Sequence, residues 1–196
     1  KLNKFPTKKK EVLFVGRLVP EKGVHLYVDA VKAMAHKYPE WSFNLIGSFK
    51  LGDNKNRNFY ADEIIKKFSY IGPQAQFYGF KNQEFVEEKM KNASIIVIPS
   101  IWEEPFGLVA AEAMSNGIAI IASDVGGIPE IIKANGILIK NINSSKIQKS
   151  LISLIENKNE RKLLQKKAWK NFKVSSLNSS KNLDRHRKFI LNSINQ

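Results

Sequence analysis

Six short apolar runs recur along the chain, each followed by a segment with helical spacing, and this alternation restricts the fold more than any other feature. EVLFVGRL (11–18) precedes VHLYVDAVKAMAHKYP (24–39), whose apolar residues recur with the helical period up to Pro39. WSFNLIGS (41–48) precedes the amphipathic NFYADEIIKKFSYIG (58–72), and QAQFYGF (74–80) precedes NQEFVEEKMKNA (82–93), with Asn82 as the expected cap. SIIVIPS (94–100) is apolar on both sides, as a fully buried parallel strand must be, and a helix is predicted from near Leu108. IAIIASD (118–124) leads to the short helix GIPEIIKAN (127–135), and GILIKN (136–141) to the helices 144–158 and 159–172, with a third helix predicted over 175–194. Strands that alternate with helices need crossover connections, so the predicted class is α/β: a Rossmann-like six-stranded parallel sheet with helices on both faces, ending in C-terminal helices.

In such a sheet, ligands bind beyond the carboxyl ends of the strands. The loops there read GRLVPEKG, GSFKLGD, GFKN, PSIWEEPFG and SDVGG, and they hold most of the glycines and the oddly placed charges. In GRLVPEKG, Arg17 and Lys22 leave a strand end and precede a helix, a setting that suits a phosphate or diphosphate or merely a turn with solvated charges. In EPFG, Pro105 and Gly107 shape a turn before the Leu108 helix, whose first amides are unpaired and point toward the same crevice. Glu104 lies in that turn. Glu112 lies about two helical turns further on, among apolar residues, where a carboxylate is costly to bury without a partner. The hydroxyls of a ribose, a buried arginine or backbone amides would each supply one.

Composition narrows the classes. The 196 residues are 43% hydrophobic, enough for a real core, and contain no cysteine, so neither a disulfide framework nor a thiolate metal site is available. No apolar run is long enough to span a bilayer, no signal peptide is visible, and KLNKFPTKKK (1–10) has the character of a linker. The net charge of +14 sits at the ends: residues 1–10 hold five lysines and no acid, and residues 140–196 hold fourteen basic and three acidic residues. Such ends suit an anionic membrane surface or an acidic partner, or are simply a Lys-rich solvated surface. Nucleic acid is the weaker expectation, since no zinc-finger, helix-turn-helix or RNP pattern is present. His25, His36 and His186 are too scattered for metal ligands or a triad.

Glu104-x7-Glu112, preceded by PSIWE and followed by AMSNG, resembles the signature of GT-B glycosyltransferases, most closely the retaining "group 1" family 4. FVGRLVPEKG resembles that family's first strand and loop, and SDVGGIPEII its later Gly-Gly-x-Pro-Glu segment, in the same order over about residues 11–140. The resemblance implies the C-terminal, nucleotide-sugar-binding half of a GT-B enzyme over 11–175, with a crossover helix at 176–196 and the N-terminal acceptor-binding domain missing before Lys1. It implies catalytic roles for Arg17, Lys22 and Glu104: the two cations on the donor diphosphate, the acid facing the transferred sugar. Glu112 would bind the ribose hydroxyls, Phe106, Gly107, Leu108 and Val109 would meet the diphosphate or sugar, and the backbone of Phe80 and Ser100 the nucleobase.

The implied activity is metal-independent transfer of a hexosyl or N-acetylhexosaminyl group from a donor, most commonly UDP-linked, with no cofactor. The sequence contains no Asp-x-Asp. The setting would be lipopolysaccharide, surface-polysaccharide or glycolipid synthesis, in the cytoplasm or at the inner face of the membrane. This chain by itself is expected to be inactive. A GT-B-like sugar-nucleotide epimerase and a non-catalytic nucleotide-binding module are the alternatives.

Overall fold

The computed structural model describes residues 4–48 and 59–172. The predicted helix over 175–194, its crossover role at 176–196 and most of the GSFKLGD loop lie outside the described residues.

The six strands are β1 (Glu11–Val15), β2 (Ser42–Ile46), β3 (Ala75–Gly79), β4 (Ile95–Ile98), β5 (Ala119–Ser123) and β6 (Ile137–Ile139). All pair in parallel, in the order β3-β2-β1-β4-β5-β6. Between them run α1 (Val24–Lys32), α2 (Phe59–Ser69), α3 (Gln83–Asn92), α4 (Leu108–Ser115) and α5 (Ile128–Ile132), followed by α6 (Ser144–Glu156) and a further helix, α7, over 158–172.

Period-two alternation divides the strand side chains between two apolar cores. Val12, Phe14, Phe43, Leu45, Ile95 and Val97 join α1, α2 and α6 on one face. Leu13, Ile46, Ile96, Ile98, Ile120 and Ala122 join α3, α4 and α5 on the other. β3 is an edge strand and only partly covered, with Gln76 and Phe77 exposed.

The segment 24–39 is not one helix. α1 stops at Lys32, and a tight 3-10 turn at Ala35–Lys37 completes the path while keeping Met34 and Ala35 in the core. Asn82 and Asn143 cap α3 and α6, each side chain accepting from a first-turn amide. Asn157 ends α6 and caps α7 in the same way, accepting from Glu160 N at 3.0 Å. The buried Arg161 donates to the Leu154 and Ile155 carbonyls at the end of α6 and lies over the Trp41 ring, 5.0 Å from its centre.

Residues 4–10, part of the expected linker, are fastened to the domain. Phe5 meets Trp169 edge-on, and Lys8 Nζ donates to the carbonyls of Met90, Lys91 and Asn116, tying the ends of α3 and α4 together. Burial lowers the Lys8 pKa to about 7.

Candidate functional site

The strand order reverses direction between β1 and β4, and the loops leaving those two strands flank the crevice that results. They touch at Gly23, whose φ of +63° is left-handed and whose Cβ, were there one, would lie 1.9 Å from the Pro99 carbonyl oxygen. Only glycine allows this approach. It sets the turn Pro20–Lys22 against the β4 exit loop, and Ile101 N completes the junction by donating to Glu21 O at 2.8 Å.

Lys22 Nζ consequently reaches Glu104, with which it forms both a hydrogen bond and an ion pair. Ser100 Oγ donates to the same carboxylate oxygen at 2.7 Å. Burial alone would push the Glu104 carboxyl up. The bonds from Lys22 and Ser100, with the charges of Lys22 and Arg17, outweigh it and hold the pKa below the ordinary carboxylate value. Arg17 is exposed and acts on Glu104 through its field.

These groups border a cavity of about 250 Å³ whose wall includes Gly16, Phe106, Gly107, Leu108, Val109 and Ile128. Gly107, at φ +54°, turns the chain into α4, so the first residues of that helix, whose amides lack a partner within it, line the cavity together with Lys22. Lys22 and a helix N-terminus at an apolar hollow, with the Arg17 charge acting on the same site, suit an anion that carries a neutral group.

Glu112 is elsewhere. It belongs to a second, more polar cavity of about 560 Å³ between α3 and α4, lined also by Lys81, Gln83, Glu87 and Asn116. The expectation that it is buried within an apolar helix is corrected: α4 buries only Ala110, Ala113 and Met114, and Leu108 and Glu112 lie on its exposed face. Partial desolvation raises the Glu112 pKa, and the Glu87 charge adds to the rise.

The structure thus brings Lys22, Ser100, Glu104, Phe106, Gly107, Leu108 and Val109 to one cavity, with the Arg17 charge felt at Glu104, and places Glu112 in a separate one. Phe80 is 80% exposed at the end of β3, next to Lys81 of the Glu112 cavity. Ser100 contributes its hydroxyl to Glu104, a contact that the sequence reading, which gave it a backbone role, does not contain. Glu87 lines the Glu112 cavity and is not among the expected residues. It comes from a different helix, and no local spacing relates it to Glu112.

The family described as "Glycosyl transferases group 1" matches residues 1–171. A relative from Methanocaldococcus jannaschii named "Uncharacterized glycosyltransferase MJ1178" is 36% identical over 154 residues, covering 78% of this chain and 40% of that protein. The crystal structure of the C-terminal domain of a glycosyl transferase group 1 family protein (LpcC) from Francisella tularensis superposes with a TM-score of 0.69 at 26% identity, covering 84% of this chain and 85% of that one. Anabaena Alr3699/HepE in complex with UDP-glucose superposes with a TM-score of 0.71 at 24% identity, covering 84% of this chain and 44% of that one. The chain spans less than half the length of the curated relatives it matches.

Proposed function

The chain belongs to the glycosyl transferases group 1 family and has the fold of GT-B C-terminal domains, and on that premise we propose that it is the donor-binding half of a retaining, metal-independent glycosyltransferase. The observation that carries the proposal is the convergence of Lys22, Ser100 and Glu104 on a cavity that opens at the N-terminus of α4.

A nucleoside diphosphate sugar has the parts this arrangement suits. Its diphosphate lies against Lys22, Arg17 and the amides of 107–109. The sugar lies beside Glu104 and the nucleoside extends toward the Glu112 cavity. The Anabaena protein, by its description, binds UDP-glucose, which makes a UDP-linked hexose the first donor to test. When the bond between sugar C1 and the diphosphate oxygen breaks, negative charge grows on the leaving diphosphate and positive charge on the ring. The two cations and the helix amides oppose the first; loss of one such donor costs about 3–4 kcal/mol of barrier. Glu104 faces the second. Its pairing with Lys22 fixes the lysine at the cavity mouth before any donor arrives, so the diphosphate meets an oriented cation. The proposed setting is surface-glycan or glycolipid synthesis at the inner face of the membrane, with the main part of the acceptor site on a further domain.

Calorimetric titration with UDP, GDP and ADP, without metal, tests the reading. One diphosphate binds; Lys22→Ala and Arg17→Ala each weaken it about tenfold or more, as loss of a charge-assisted bond should, and Glu112→Ala weakens it through the ribose. Equal affinity in all variants would sink the assignment.

A further inference from the structure

A third hollow, of about 430 Å³, opens at the carboxyl ends of β4, β5 and β6 and is lined by Ser100, Ile101, Asp124, Val125, Asn141 and Ile142. The contacts proposed above for the diphosphate and the nucleoside lie outside it. It adjoins the donor cavity, since Ser100 borders both.

Its walls are pinned on three sides. Ile101 N is held by Glu21 O at 2.8 Å, and Asp124 N donates to Ile139 O at 3.1 Å. Asn141 is held at a φ of +48°, a left-handed conformation uncommon outside glycine, while Lys146 Nζ donates to the Lys140 and Asn141 carbonyls at 2.7 and 3.1 Å. The Asp124 loop also rests directly on the Glu104 backbone. Gly127 N donates to Glu104 O at 2.7 Å, and a Cβ on Gly126 would lie 2.4 Å from Glu104 N. Among the described residues the Asp124 carboxylate makes no hydrogen bond or ion pair. Asp124 is half-buried at the end of β5 and forms part of the wall of the hollow.

We propose that this hollow binds a hexopyranose ring, with Asp124 accepting from two of its hydroxyls, the Asn141 amide bonding a third, and Ile101, Val125 and Ile142 meeting its C–H face. A carboxylate has acceptor sites for a vicinal diol, and the side-chain amide both donates and accepts. Lys140, at the rim, adds a further donor. The shared Ser100 wall puts such a ring at the edge of the donor cavity, and in this respect the proposal rests on the donor-binding reading. The ring comes either from a glycan acceptor or from the donor itself.

Amide NMR on the 15N-labelled chain separates these sources. Methyl glycosides of glucose, galactose, mannose and N-acetylglucosamine are titrated one by one, and UDP-glucose is compared with UDP. For an acceptor ring, a free glycoside moves the amides of Asp124, Val125 and Asn141. For the donor's sugar, only UDP-glucose moves them beyond the effect of UDP. In either case Asp124→Ala weakens the sugar-dependent shifts about tenfold or more and leaves the UDP-dependent shifts at Gly107 and Leu108 unchanged, which verifies its fold. If neither sugar form moves those amides, or if Asp124→Ala responds like the wild type, the proposal is overturned. Absence of UDP shifts at Gly107 would count against the donor-binding reading, while the free-glycoside titration still decides the hollow.

Discussion

Glu112 and Glu87 line one cavity, and the Glu87 charge adds to the desolvation that raises the Glu112 pKa. A ribose ligand needs the ionised carboxylate, which accepts both hydroxyls; the protonated form gives up acceptor capacity. The direction of the shift then fixes the sign of a pH effect. As pH falls through the raised pKa, Glu112 protonates early and nucleotide affinity declines. Glu87→Gln removes one cause, lowers that pKa, and moves the acid limb of UDP affinity to lower pH, as calorimetry between about pH 4 and 8 would detect. Superimposable limbs for wild type and variant would show that Glu112 does not hold the nucleotide. Glu104 behaves oppositely. Its depressed pKa keeps the Lys22 pairing intact above the ordinary carboxylate range and releases it only in stronger acid. The motif Glu104-x7-Glu112 names both residues but says nothing of this contrast, because the cause lies in partners from the β1 loop and from α3.

Among the elements, α6 and α7 meet in a joint whose energetics are concentrated in one residue. Arg161 satisfies two terminal carbonyls of α6 and stacks over Trp41, which itself is buried just before β2. Arg161→Ala leaves those carbonyls without their donor and removes the stacking partner. Charged hydrogen bonds contribute about 1.5–3 kcal/mol, so a loss of about 2–3 kcal/mol is expected, read as a lower urea midpoint with UDP binding retained. An unchanged midpoint would refute this account of the joint. The six strands were legible because a parallel strand buried on both faces is written as a continuous apolar run, as in Ile95–Ile98. Asn82 announced its helix for the reason that makes it a cap. The division of 24–39 into α1 and a 3-10 turn was not legible, because Met34 and Ala35 continue the apolar period through the break. The exposure of Glu112 was not legible either: α4 is apolar almost all round, yet one of its faces borders the crevice, which sequence composition cannot reveal. That Lys22 and Glu104 come together could be expected because the topology brings the ends of β1 and β4 side by side.

At the scale of the whole molecule, charge is distributed unevenly. Residues 11–139 hold thirteen basic and fifteen acidic side chains, while 140–196 hold fourteen and three. Within the described part of that region, Lys158, Lys162, Lys166 and Lys170 are exposed at four-residue intervals along α7 and so form a stripe on one helix surface. No helix among the described residues is long and apolar enough to cross a membrane, so any association through this stripe is electrostatic. Each lysine near an anionic bilayer contributes about 1 kcal/mol, and the attraction decays over roughly 10 Å at 0.1 M salt. The proposed setting at the inner face of the membrane therefore predicts that the chain sediments with phosphatidylglycerol vesicles at low salt and is released as salt rises. Phosphatidylcholine vesicles should leave it in the supernatant. Replacing Lys162, Lys166 and Lys170 together by Gln removes three of the contacts and should weaken vesicle binding by about 3 kcal/mol at most, with UDP affinity unchanged because the stripe lies apart from the cavities. Equal sedimentation of the triple variant, or equal binding to neutral vesicles, would separate the basic surface from membrane attachment. A duplex DNA competitor that displaces the chain from vesicles with a steep salt slope would instead mark the stripe as a general polyanion surface.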